Sequence, residues 1–508
     1  MRFAVGYFSL ICSVCCLFGN FNFIAPVLAV EESPSELPRL GQLPPRACLD
    51  DRQSAMEDRL EQEVLAIIEH PQLKRSRWGI EVQTLAGESI YSLAGDKFFN
   101  PASAAKLLVS AAGLLELGAD YQLKTPIYSE GTAPVLTSLR LKGQGDPTLS
   151  SQSLKDIVHQ LQERGIKRIE NLIIDDSYLA APAINPTWEW LDVHSYFATA
   201  VNSTILNENT ATLTLLPQQV GQPVKFFWND AIAAQQWQVV NQATTGKADI
   251  EYAIEIDGDL GKPLLKLRGE LAVNERPDVW DLAVLDPARY FLESLRFHLS
   301  EANITVTRGT VSESAANFTD TELIAISAPP LRDILAEINQ QSNNLYAEAL
   351  GKILARKLEQ DTAIAAINQS LQQIGIAPSE YVLVDASGLS RQNLVSPQTL
   401  VKLLRAMSDL SPSLAHAYRQ SLAQAGTNGT LTRRFVGTNL QGNLAAKTGT
   451  LTGVGALSGY LSMPEQETLV FSILVNNSEL EQREVRQAID KIIAIVAQFN
   501  LCGKSHGK

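Results

Sequence analysis

Ser103 stands three residues before Lys106 in the stretch NPASAAKLLVSAAGLLELGA, residues 100–119. Residues at i and i+3 share one face of a helix. Serine is a weak nucleophile and needs a base. Lysine is a base only when burial or a second cation depresses its pKa. From Leu107 onward the stretch holds Leu, Val, Ala and Gly with a single Glu, so a buried helix is expected, with Gly118 as its stop. A buried lysine is costly unless it is paired. Alone, S-x-x-K is a weak signal, and a Ser near a helix start with a snorkelling Lys reads as well. Two later stretches change the weighing. INQQSNNLYAEAL carries Ser342, Asn343 and Asn344, and NLAAKTGTLTGVGALSGY carries Lys447, Thr448, Gly449 and Thr450 at the entry to a strand pair.

The elements around these residues fall into two textures. A helix is expected at about 53–69, with Leu60, Val64, Leu65, Ile67 and Ile68 on its apolar face. Two alternating runs around Ala86-Gly87-Glu88 read as a hairpin, and the Ser103 helix follows. From 124 to 322 short β-rich runs dominate, with helical stretches such as 152–164 and 286–300, so one or two mostly β domains are expected there. After 330 helical sequence returns, then two strand-like runs and a helix at about 481–498. The β-rich middle interrupts a strand-and-helix domain made of both ends. The expected segments are 48–123 and 323–503 for that split domain, 124–322 for the insert, and 504–508 for a tail.

The first residues hold one Arg, a long apolar run without acids, and Val27-Leu28-Ala29 before acidic, Pro-rich sequence. This pattern reads as a signal peptide over 1–29, with an uncleaved anchor helix as the alternative. Residues 30–47 read as a flexible lead-in. No second apolar span of membrane length follows, so no integral membrane segment is expected after cleavage. The formal net charge of −13 over 508 residues argues against nucleic acid and anionic lipid as partners. Cys48 and Cys502 remain after cleavage. In an exported chain they form either a disulfide or two free thiols.

S-x-x-K, S-x-N and K-T-G in this order are the signature of penicillin-binding proteins and serine β-lactamases. The chemistry needs each part. Ser103 attacks a carbonyl and Lys106 takes its proton. Lys447 helps to keep the Lys106 amine neutral and attracts a substrate carboxylate. Ser342 relays a proton to the leaving amine, and Asn344 holds Lys106 and the substrate amide. Two backbone N–H groups must receive the oxyanion, and the resemblance points to those of Ser103 and Thr450.

The long separation between Ser103 and Ser342 resembles the class C low-molecular-mass penicillin-binding proteins, the D-alanyl-D-alanine carboxypeptidase/endopeptidase family (peptidase family S13). GQGDPTL at 143–149, IIDDSY at 173–178, WEW at 188–190, LNEN at 206–209, DASGLSR at 385–391 and NGTLTRRF at 428–435 look like that family in the same order. The resemblance implies an α+β fold: a transpeptidase/β-lactamase-like domain, an antiparallel sheet with helices on both sides, split by a mostly β insert of two smaller domains. It implies removal of the terminal D-Ala from peptidoglycan stem peptides, with endopeptidase activity in many members, and covalent capture of β-lactam antibiotics. It implies no metal and no organic cofactor. Thr448, Gly449 and Thr450 would bind substrate, as would Arg391. Asp175 would meet the amino end of the diamino acid. Plainer readings are a surface ion pair for Arg391 and a turn or helix cap for Asp175. Asn343 stands where many relatives have Asp and is expected to point away, and Ala386 stands where Gly is common.

Two rivals use the same fold. A β-lactamase would need a deacylating base, and no separate Glu stands out. A non-catalytic wall-binding protein would have lost a motif residue. A Ser-His-Asp hydrolase is disfavoured because none of the six histidines accompanies a G-x-S-x-G elbow.

Overall fold

The computed structural model describes residues 53–502 except 260, 315–319 and 465. The expected signal segment, the lead-in, the tail, Cys48 and the Cys502 side chain lie outside the described residues.

The K-T-G motif is carried by a six-stranded antiparallel sheet in the order Ala423–Gln424, Leu444–Leu451, Val454–Leu461, Leu469–Asn476, Arg77–Thr84 and Ser89–Leu93. Both ends of the chain contribute. Val454–Leu461 and Leu469–Asn476 are buried along their whole length, as strands covered on both faces are. Alternation divides the two faces. A side chain at Gly455 would meet Val485 and Ile489 of the helix Gln482–Cys502. Ala456 and Tyr460, on the other face, join the main core, where the Tyr460 hydroxyl donates to the Leu404 carbonyl at 2.7 Å.

The Ser103 helix has two parts. Ala102–Ala105 is a 3₁₀ turn, and Lys106–Leu117 is an α-helix that stops at Gly118 with φ 78°. Side chains at i and i+3 eclipse in a 3₁₀ turn, which lines Ser103 up with Lys106. Residues 106–114 of this helix are all buried. A second buried helix, Asn344–Lys357, packs against it.

The insert is mostly β, as expected, with helices where the sequence placed them, and its strands fall into two layers. Its larger layer is a mixed five-stranded sheet in the order Thr305–Ser312, Arg168–Asp175, Val135–Lys142, Lys124–Thr132 and Thr321–Ser327. Val135–Lys142 and Arg168–Asp175 are parallel, joined through the helix Ser151–Glu163. A parallel pair needs such a crossover. That helix and Pro287–Glu301 pack together over one core. Only the smaller core, around Leu213, Trp237 and Leu265, is all β. The last strand of the larger layer runs to Ser327 and pairs with Lys124–Thr132, so a boundary at 322 cuts through a strand. The helices at 152–164 and 286–300 were legible. Their packing on a mixed sheet with a parallel crossover was not, because parallel pairing is set at long range.

Candidate active site

The 3₁₀ turn puts Ser103 at the floor of a cleft of about 630 Å³. Lys106 is completely buried beneath it. Its Nζ lies 2.9 Å from Ser103 Oγ, 2.6 Å from Asn344 Oδ1 and 2.6 Å from the Ser387 carbonyl oxygen. The Asn344 amide is oriented from its other end, where Nδ2 donates to the Phe197 carbonyl at 2.7 Å. Burial holds the Lys106 amine down to about 7, against the opposing pull of Asp385 and then Glu348.

Lys447 is also fully buried, and its Nζ donates to Ser342 Oγ at 2.9 Å and to the Thr448 carbonyl at 2.9 Å. Its amine is pushed well below the ordinary value, first by burial and then by Lys106. Burial comes first in depressing Lys106, and the repulsion between the amines weighs on Lys447. Ser342 reaches Lys447 from a left-handed backbone, φ 65°.

Gly449 lets the K-T-G strand close on the Ser103 turn, since a Cβ there would lie 2.6 Å from the Pro101 carbonyl oxygen. Thr450 lines the cleft with Ser103, Ser342, Asn344 and Arg391. The Thr448 hydroxyl instead donates to Thr430 at 2.9 Å. Arg391 ion-pairs with Glu189 at 2.8 Å and donates to the Thr452 carbonyl at 3.0 Å, on the cleft wall. The surface-pair and cleft readings of Arg391 therefore describe one contact.

Asp175 does not join this cleft. It ends a strand of the insert, 2 % exposed, ion-paired with Arg140 at 2.8 Å and accepting from the Ser177 hydroxyl at 2.6 Å. Arg140 also grips Asp320. A carboxylate enclosed in this way has no free oxygen to offer an amine, which corrects the substrate-binding expectation for Asp175.

The cleft carries four acids that the motif reading left without a role: Glu189, Asp192, Glu208 and Glu337. Glu208 sits in LNEN, where Asn207, Glu208 and Asn209 all have positive φ, 49°, 56° and 52°. Three consecutive left-handed residues are unusual, and their clustering at a cleft is typical of functional turns. Asn343 does not simply point away. Its Oδ1 caps the helix Asn344–Lys357 through the Tyr346 amide, and its Nδ2 donates to Glu208 at 2.7 Å.

Asp385 organises the DASGLSR loop. It accepts from the Gly388 and Ser390 amides, from Asn393 Nδ2 and from the Trp188 indole. Trp188 belongs to a small cluster with Ala198, Leu389, Phe197 and Leu451, which ties the insert to the cleft wall. Ala386 is accommodated by Gly351, where an added Cβ would lie 3.2 Å from its own.

The profile of the D-Ala-D-Ala carboxypeptidase 3 (S13) family matches residues 60–496. The chain belongs to this family of serine-type carboxypeptidases, hydrolases that act on peptidoglycan and bind penicillin. Among its relatives is a D-alanyl-D-alanine carboxypeptidase of Actinomadura sp. (strain R39), 32% identical over 454 residues, 84% of this chain and 83% of that protein. Another is the D-alanyl-D-alanine carboxypeptidase DacB of Haemophilus influenzae, 26% identical over 77% of this chain and 84% of that protein. The crystal structure of penicillin binding protein 4 (dacB) from Haemophilus influenzae superposes with a TM-score of 0.75 at 23% identity, over 88% of this chain and 98% of that one. That likeness establishes the fold, an α+β fold with several sheets.

Proposed function

We propose that this chain removes the terminal D-alanine from peptidoglycan stem peptides through an acyl-enzyme on Ser103, with Lys106 as the general base. One observation carries the reading. Of the three atoms around Lys106 Nζ, Asn344 Oδ1 and the Ser387 carbonyl oxygen can only accept. A neutral amine has two protons and one lone pair. Both protons are taken by those acceptors, so the lone pair is left to the Ser103 hydroxyl at 2.9 Å. Ser103 Oγ attacks the carbonyl carbon as its proton passes to Nζ. The C–N bond then breaks, and the departing D-alanine amine takes a proton by way of Ser342 and Lys447. Water attacks the ester in the second half and releases the shortened peptide and free Ser103. The same two steps on a cross-linked peptide, whose leaving amine belongs to the neighbouring stem, are endopeptidase cleavage, and an amine attacking the ester in place of water gives transfer. The Ser103 and Thr450 amides serve the oxyanion in this reading.

Arg391 supplies the cationic side of the cleft for the substrate carboxylate, and Lys447, buried behind Ser342, adds positive charge when protonated. The acid that meets the amino end of a diamino acid is assigned to Glu189 or Asp192, which line the cleft, in place of Asp175. A relative has been crystallised with a β-lactam, and β-lactams are read here as acylating the same serine. The substrate requires an exported location. No helix among the described residues is long and apolar enough to cross a membrane.

The test is the intact-protein mass after brief exposure to benzylpenicillin, wild type beside Ser103→Ala. A one-equivalent adduct on the wild type alone is expected. Equal labelling of a folded Ser103→Ala protein would overturn the assignment.

A further inference from the structure

The three motifs leave Glu348 without a task, although it is 6 % exposed and lies one helical turn beyond Asn344. Side chains at i and i+4 leave the same helix face. Glu348 Oε1 accepts from the Ala386 amide at 2.9 Å and from the Ser387 amide at 2.7 Å. The Ser387 carbonyl in turn accepts from Lys106 Nζ at 2.6 Å. One helix face therefore reaches the same amine twice, directly through Asn344 and indirectly through the Ser387 peptide.

We propose that Glu348 is a positioning residue for the general base, holding the Ser387 peptide so that its carbonyl takes one Lys106 proton and the lone pair stays on Ser103. This rests on the acyl-enzyme reading above. Glu348 lines a separate cavity of about 590 Å³ behind the loop and is absent from the lining of the cleft, so it acts through Ser387 and not on substrate.

Packing alone does not account for an acid here. Ala386 already rests against Gly351. The two buried amides need an acceptor, and glutamine would provide one without a buried charge. Burial pushes the Glu348 carboxyl up to about 7, so the acid is retained at a cost. A carboxylate adds what an amide cannot, a negative charge that favours the protonated form of Lys106. The other charged groups around the pair are Asp385 from the loop, Lys447 from the K-T-G strand, and Lys352 one turn further along the same helix. Lys352 is committed to the carbonyls of Ala180, Pro182 and Val201 and faces Asp176.

The experiment follows the second-order rate of benzylpenicillin acylation against pH for wild type, Glu348→Gln and Glu348→Ala, with a thermal melt of each. Glutamine keeps an acceptor, so its high-pH plateau should stay within about threefold of wild type. Its rising limb should move to lower pH, because the charge that favours protonated Lys106 is gone. Alanine frees the Ser387 peptide, and its plateau should fall about tenfold or more. A purely structural Glu348 would leave the limb of the glutamine variant in place. An unmoved limb in Glu348→Gln, or an undiminished plateau in Glu348→Ala, would overturn the proposal. Should the alanine protein not fold, the isosteric glutamine limb decides alone. A wild type that takes no penicillin would overturn the acyl-enzyme reading itself.

Discussion

Asn344 Oδ1 receives the Lys106 amine at 2.6 Å from a residue 238 positions earlier in the chain. The contact joins the second motif to the first, and it works because an amide oxygen accepts without carrying charge. Asn344→Asp would put a carboxylate at that distance. An opposite charge this close raises the pKa of the amine by about 1–3 units. The neutral base would then appear only at higher pH. At pH 7 benzylpenicillin acylation should fall about tenfold or more and recover as pH rises. A variant profile that overlays the wild type would show that Asn344 does not govern the protonation of Lys106.

The wild-type profile has its own sign. The base is competent when neutral, and burial holds Lys106 down to about 7 against Asp385 and Glu348. Acylation should therefore rise with pH through about 7 and then level. Lys106→Met removes the base without adding charge and should slow acylation about 10²–10⁴-fold at every pH. The rate constants come from quenched samples read by intact mass. A rising limb that survives at full height in Lys106→Met would move the base elsewhere.

Two glycines separate strain from contact. Gly388 has φ 82°, and a Cβ there would lie 1.9 Å from the Ala102 carbonyl oxygen, next to the nucleophile. Gly375 has φ 79° with nothing within 4 Å of the added carbon. Both pay backbone strain on mutation to alanine, about 1 kcal/mol or more. Only Gly388→Ala must also displace the Ser103 turn. Melts should drop for both variants, whereas penicillin labelling should slow in Gly388→Ala alone. Equal labelling in the two would mean that the loop and the turn adjust independently.

Most of the candidate constellation that the structure brings together was legible because its parts are short and local. Ser103 and Lys106 are neighbours on one turn, Ser342 and Asn344 are next but one, and Lys447–Thr450 are four consecutive residues within the strand Leu444–Leu451. Gly118 ended the helix as its residue type suggests. The unread parts depend on long-range geometry. The Ser387 carbonyl that holds Lys106 is a backbone group, and any residue type has one. Glu348 sits in an ordinary helical stretch, where an acid every few residues reads as a solvated face. The signal that could have found it is its i+4 spacing from Asn344. Asn207 and Asn209 are of a type enriched in the left-handed region, but nothing in LNEN announces that Glu208 between them joins it. The parallel crossover in the insert depends on which strands pair, which local pattern does not encode. The IIDDSY stretch does not tell a scaffold acid from a substrate acid at Asp175; burial and the Arg140 contact do.

Asp175 and the cleft acids make opposite predictions. Asp175 and Asp320 share Arg140, all three nearly inaccessible. Removing one charge of a buried pair leaves the other uncompensated and costs about 3–5 kcal/mol. Arg140 keeps Asp320 at 2.8 Å in Asp175→Asn, so the loss should fall at the low end, about 3 kcal/mol. The folded fraction should still take benzylpenicillin at the wild-type rate and hydrolyse a diamino acid stem peptide with unchanged KM. Glu189→Gln and Asp192→Asn should behave the other way, since Glu189 is half-exposed on the cleft wall beside Arg391. Their melts should hardly move, their penicillin labelling should persist, and KM for the diamino acid peptide should rise about tenfold, the size expected for one charge-assisted hydrogen bond. Peptide KM that follows Asp175 and ignores both cleft acids would return the amine-binding role to the insert strand.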